Sequence, residues 1–325
     1  MIKRFISSLF AGLCFALFVS TNAFADVVIN EANFPDANFR KYLLGQEYGY
    51  DGVITDAEMA TITSMSFWGD PESLEGIKFF TSLKELNLWD CRHMQSLDVS
   101  GCTALTTLSC IGGNLETLNV SGCTALTSLV CTMNKLTTLN VSTCTALTTF
   151  DCSENDLTTL NVSGCTALTN LDCAYNELTS LDVSGCTILT NLDCHWNNLT
   201  TLNVSGCTAL NNIICHTNML RAANADVFIG SLPNKNGKIY FRSSYDTDAN
   251  VCTKSQVAAM KEKGWTPYYS NGDNYSGVDD FTGIADISLG FGANAVVYDL
   301  NGNRVEDWQN KRGVYIINGK KVVVK

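Results

Sequence analysis

The residues best able to do chemistry sit at matched positions in the middle of the chain. Asp151, Asp172 and Asp193 recur every 21 residues, as do His195 and His216, and Glu154, Tyr175 and Trp196 share the same spacing. Carboxylates in a row attract cations, and a Tyr and Trp among polar groups suit protein hot spots and sugar stacking alike. Asp193, His195 and His216 are plausible metal donors, but without an evident outer shell they make a poor zinc site, so no metal is expected. Catalysis is not expected either. The chain has three histidines, His93, His195 and His216; it lacks a Gly-x-Ser-x-Gly elbow and a phosphate loop, and its cysteines fall in regular columns. These features describe a binding protein that is not an enzyme and needs no cofactor.

A repeat must position these residues. From Cys102 to Leu220 the unit Leu-x-x-Leu-x-Cys-x-x-Asn-x-Leu-x-x-Leu-x-Val-Ser-Gly-Cys-Thr-Ala returns with a period of 21. Leu105, Leu126, Leu147, Leu168, Leu189 and Leu210 share one column, and Leu115, Leu136, Leu157, Leu178, Leu199 and Leu220 another. A fixed period of this length marks a solenoid, in which no unit can bury its own apolar face alone. Leu-x-Leu-x-Cys alternates with polar residues and so predicts a strand, stacked coil on coil into a parallel ladder. The return side is too short for a long helix and is predicted to be extended or single-turn.

Function belongs where the repeat varies, beside the strand leucines. One outward row is Asn87, Ser109, Val130, Asp151, Asp172, Asp193 and Ile214. The next is Trp89, Ile111, Thr132, Ser153, Ala174, His195 and His216, followed by Met133, Glu154, Tyr175, Trp196 and Thr217. The candidate ligand-binding residues are therefore Asp151, Glu154, Asp172, Tyr175, Asp193, His195, Trp196 and His216.

Of fifteen cysteines, Cys110, Cys131, Cys152, Cys173, Cys194 and Cys215 form one ladder and Cys102, Cys123, Cys144, Cys165, Cys186 and Cys207 another. Coils about 4.8 Å apart hold parallel Cβ atoms farther apart than the ~3.8 Å a disulfide prefers, so buried free thiols are predicted. Asn134, Asn155, Asn176, Asn197 and Asn218 recur between the ladders, with Gly113 substituting once. Asparagine at a turn can bond the backbone of the neighbouring coil. Triplets such as Asn140-Val141-Ser142 match a glycosylation sequon but follow from the repeat itself.

The stretch Leu168-Thr169-Asn170-Leu171-Asp172-Cys173-Ala174-Tyr175-Asn176-Glu177-Leu178, continued by Leu181 and Val183, resembles the leucine-rich repeats, with Cys where most carry Leu. Within them it is similar to the short bacterial class of the internalin J type. The resemblance covers about seven coils, residues 81–220, opened by Leu83, Leu86 and Leu88. It implies a leucine-rich repeat solenoid of the α/β class, curved, with the parallel β ladder on its concave face. It also implies a surface-exposed bacterial binding protein.

The flanks complete the organisation. Lys3 and Arg4, the apolar run from Phe5 to Val19 and Ala23-Phe24-Ala25 predict a signal peptide over 1–25. Removing it takes the formal charge from −11 to −13, which argues against nucleic acid. No second long apolar segment exists to span a membrane. Residues 26–80 predict a helical N-terminal cap, in which Glu47 to Glu58 is EF-hand-like. Gly49 offers no side chain where a calcium ligand is wanted, so a metal-free cap is expected, as the internalin resemblance also implies. Residues 221–269 predict an α/β C-terminal cap, 270–283 a linker, and 284–325 a small β module with Asn301-Gly302 and Asn318-Gly319 turns. That module resembles the C-terminal sorting domain of type IX secretion cargo. Expected partners are an extracellular protein or a glycan, with the secretion machinery engaged through the C-terminal module; the protein would be secreted or held on the outer cell surface.

Overall fold

The computed structural model describes residues 26–69, 71–244 and 248–278, and beyond them residues 297–298, 305, 313–317 and 320–324. The expected signal peptide lies outside the described residues, as does most of the stretch joining the solenoid to the C-terminal strands.

One parallel sheet of ten strands runs the length of the solenoid, from Ser64–Trp68 through Glu85–Trp89, Thr107–Ile111 and one strand per later coil to Trp265–Tyr269. Its register is strict, with Leu129, Phe150, Leu171, Leu192 and Ile213 opposite one another. All five are buried, as are the columns of Leu105 and Leu115. Alternation puts these side chains inward and their neighbours outward, so a one-residue slip would expose the whole core. The return side is extended, as expected. Ser96–Asp98 pairs with Thr117–Asn119, and Ser180–Asp182 with Thr201–Asn203. There the Asn or Asp of each Asn/Asp-Val-Ser triplet caps its own turn: Asn140 Oδ1 accepts from the Ser142 N–H at 3.0 Å. That bond explains the sequon-like triplets.

The cysteines among the described residues are buried free thiols. Those of the turn ladder donate to backbone carbonyls of the preceding coil, as Cys207 Sγ does to Val183 O at 3.1 Å. The asparagine ladder bonds more extensively. Asn176 Nδ2 donates to Cys152 O at 3.0 Å and Cys173 O at 3.2 Å, and its Oδ1 accepts from the Leu157 N–H at 2.9 Å. Each asparagine thus ties two coils together while leaving its own buried amide satisfied.

The ladder reaches into both caps. Ser64–Trp68, within the stretch expected as cap, pairs in register with the first repeat strand. Below it, helix Ala37–Leu44 begins where Asp36 Oδ1 accepts from the Phe39 N–H at 2.6 Å, and Phe34, Phe39 and Phe67 interlock edge to face. At the other end, strands Gly237–Arg242 and Trp265–Tyr269 extend the sheet in parallel. Helix Lys254–Glu262 between them starts with the Thr253/Gln256 capping box. The first part of the expected linker packs onto this cap: Tyr275 is buried, its hydroxyl donates to Cys252 O, and its N–H donates to Pro267 O of the last strand. Pro267 and this covering segment blunt the open edge of the ladder.

Farther on, Val297–Tyr298, Gly313–Ile317 and Lys320–Val324 form a separate antiparallel sheet, with Ile317 opposite Lys320.

Candidate binding face

Each coil leaves its strand through a left-handed residue, and this turn presents the aromatic side chains. Asp90, Met133, Glu154, Tyr175, Trp196 and Thr217 have φ between 50° and 58°, and the glycines of the row, Gly69 and Gly112, have 79° and 69°. The conformation aims each N–H at the next coil: Tyr175 donates to His195 O at 3.0 Å and Trp196 to His216 O at 3.2 Å. It recurs in every coil, so it belongs to the repeat and is not strain confined to one site.

Tyr175 and Trp196 stack with their ring planes nearly parallel, centroids 5.6 Å apart at 9°, and each remains 46% exposed. His195 meets the edge of Tyr175 at 4.8 Å and lies 4.7 Å from His216. His195 Nδ1 and Asp193 Oδ1 are 2.5 Å apart, which orients the imidazole. Asp151, Asp172 and Asp193 stand in register on adjacent strands. Asp151 accepts from the Ser153 N–H and hydroxyl, and Asp172 from the Ala174 N–H at 3.0 Å. Burial, reinforced by the charges of Asp193 and Asp151, pushes the Asp172 carboxyl up to about 6. Burial and the neighbouring His195 together lower His216. Glu154 shares the left-handed row with Tyr175 and Trp196.

The fold thus brings the sequence-predicted residues onto one continuous face. Ala174, in an outward row between Ser153 and His195, is instead buried. The sequence reading omitted Trp68, 80% exposed and paired in register with Trp89. It also omitted Tyr240 and Tyr268, which continue the carboxylate row into the C-terminal cap and stack at 5.5 Å. Ser64-x-Ser66-x-Trp68 has the outward alternation that would have found the first.

Neither candidate metal centre fits. Among the described residues no group of three His, Cys, Asp or Glu side chains is placed to hold an ion. In the EF-hand-like loop, a Cβ on Gly49 would come 2.2 Å from Leu43 O, and the Glu58 carboxylate accepts from the Thr55 N–H and hydroxyl. The loop uses its acid to cap a helix.

Comparison with known proteins follows the same lines. A family profile for the leucine-rich repeat domain of the endo-β-N-acetylglucosaminidase EndoS matches residues 34–155. Among solved structures, the functional domain of InlJ from Listeria monocytogenes, described as including a cysteine ladder, is 30% identical with a TM-score of 0.54. That match covers 74% of this chain and 56% of the other, so the chain spans little more than half the length of that relative. A leucine-rich repeat protein of Leptospira interrogans is 16% identical, covering 66% of this chain and 61% of that one, with a TM-score of 0.45. No curated protein matches the sequence. Among the described residues, no helix is long and apolar enough to cross a membrane.

Proposed function

This chain is a leucine-rich repeat protein resembling the cysteine-ladder internalin J type, and on that premise we propose that it is an exported, non-enzymatic binding protein whose concave face engages an extracellular protein, in interaction or adhesion at the bacterial cell surface. The observation that carries the reading is the half-exposed Tyr175–Trp196 stack beside a row of carboxylates. Holding two large rings half in water forgoes about 1–2 kcal/mol of burial per ring, and such anchors are what protein interfaces use. Export rests on the N-terminal signal sequence, and attachment on the resemblance of the C-terminal strands to a sorting domain.

A second reading, carbohydrate binding, is favoured by one feature. The two rings stack in parallel yet stay half-exposed among polar groups, and an exposed aromatic ring can receive a sugar face.

The test is binding of the chain from Asp26 onward to an extracellular-protein panel and a glycan array, beside a Tyr175→Ala/Trp196→Ala variant. Protein binding lost in the variant supports the first reading, and glycan binding lost in it supports the second. Silence in both formats, or binding untouched by the variant, overturns the assignment to this face.

A further inference from the structure

The outer face of the ladder is sorted along its length. Toward the N-terminal end, Trp68 and Trp89 lie side by side with centroids 6.2 Å apart, and Ile111, Val130 and half-exposed Met133 continue an uncharged surface. Of the outward strand and left-handed turn positions here, Glu85 at the margin and Asp90 carry charge, and Asp90 pairs with Arg92 at 2.6 Å. Two adjacent tryptophans on an exposed sheet face, one of them four-fifths in water, form a patch of the kind that marks a contact surface.

Three coils farther on the character reverses. Asp151, Asp172 and Asp193 follow in register, joined by Glu154, with Tyr175 and Trp196 alongside. Between Trp89 and Ile214, no outward strand position and no left-handed turn position is Lys or Arg. Apart from His195, which pairs with Asp193, the stacked carboxylates therefore face no basic side chain at these positions, and burial together with their mutual repulsion raises the Asp172 pKa. A cationic side chain entering here meets a row of carboxylates with the half-exposed Tyr175 and Trp196 alongside, an arrangement that favours Arg or Lys.

We infer that the two halves read a single extended protein segment, its basic end over Asp151, Asp172 and Asp193 and its apolar end over Trp68 and Trp89. The inference rests on the protein-binding reading of this face and adds the chemistry of the partner. Trp89 and Asp172 are four coils apart, about 19 Å at ~4.8 Å per coil, which about six residues of extended chain would span. Linking two weak contacts through one segment multiplies their affinities through effective concentration, so the composite should far exceed either half.

Three fluorescein-labelled peptides test this by polarisation: three arginines, six Gly/Ser residues and three leucines in that order; the arginines and spacer alone; and the spacer and leucines alone. The expected result is composite binding at least tenfold tighter than either half, weakening as salt rises. Trp68→Ala/Trp89→Ala should reduce the composite to the arginine-only level, and Asp172→Asn/Asp193→Asn to the leucine-only level. All four side chains lie on the outer face, and melting curves of both variants verify that they fold. A composite no tighter than the arginine peptide, or indifferent to the tryptophan variant, overturns the two-ended reading. If a protein from the panel still loses binding in the Tyr175/Trp196 variant, the proposed function survives that failure. Glycan binding alone overturns both.

Discussion

The Leu220 N–H donates to Asn250 Oδ1 at 2.7 Å, thirty residues along the chain, just as Leu199 donates to Asn218 within the repeats. Asn250 Nδ2 also donates to Cys215 O and Phe241 O, so the C-terminal cap extends the asparagine ladder by one rung. Beside it, Asp248 accepts the Thr217 N–H at 2.8 Å, where every earlier coil from Met133 on offers a carbonyl. Asn250→Ala strips partners from one buried N–H and two carbonyls and should lower the unfolding free energy by about 3 kcal/mol, as Asn176→Ala should in mid-ladder. Urea denaturation of both variants measures this; a loss under about 1 kcal/mol for Asn250→Ala would show that the cap does not depend on the rung.

The left-handed row predicts a stabilising substitution. Met133 holds φ 58° with half its surface in water, and a long side chain there is disfavoured by about 1 kcal/mol. Asparagine tolerates that conformation. Met133→Asn should therefore raise stability by about 0.5–1 kcal/mol, read as a higher melting temperature. An unchanged or lower value would mean that the methionine's contacts outweigh its backbone.

Repetition explains what the sequence made legible. Six copies of one sentence, laid under one another, separate Leu171 and Cys173, which face inward, from Asp172, which faces outward, and the register follows. Ser64–Trp68 stands one 21-residue period before Glu85–Trp89 but carries Met65 and Phe67 where that strand has Leu, and Gly237–Arg242 and Asn250 lie outside the period. The left-handed turn was hidden because only Gly69 and Gly112 announce it; Tyr175 and Trp196 adopt it under the pull of hydrogen bonds to the next coil. Ala174, buried in an outward row, shows the limit of alternation.

The thiol ladders should make the fold sensitive to alkali. Burial pushes Cys123 and Cys186 up to about 11 and Cys102, Cys110 and Cys165 to about 12, from the ordinary thiol value of 9. The folded chain then holds protons that the unfolded chain releases. The stabilisation is complete below about pH 9 and is lost as pH rises through 11 to 12. Under reducing conditions, the urea midpoint should fall steeply between pH 9 and 11, and Cys173→Ala/Cys194→Ala should flatten that fall. At pH 8 the native thiols should resist alkylation until urea unfolds the chain; rapid native labelling would contradict burial.

Asp172 predicts a shallower dependence at acid pH. Its carboxyl is pushed up to about 6, first by burial and then by Asp193 and Asp151, against the opposing pull of the Ala174 N–H and His195. Because the unfolded value is near the ordinary 3.8, the folded chain binds the extra proton between the two. The contribution to stability is full below about pH 4 and disappears as pH rises through 6. Asp172→Asn keeps an acceptor for the Ala174 N–H and removes the repulsion among the three carboxylates. The variant should match the parent near pH 4 and exceed it at pH 7 by on the order of 1 kcal/mol, the partial exposure of the carboxylate discounting the full shift. Urea midpoints of the two proteins from pH 4 to 7 decide the matter. A difference that stays constant across that range would mean that Asp172 is ionised throughout, so that neither its burial nor its neighbours perturb it.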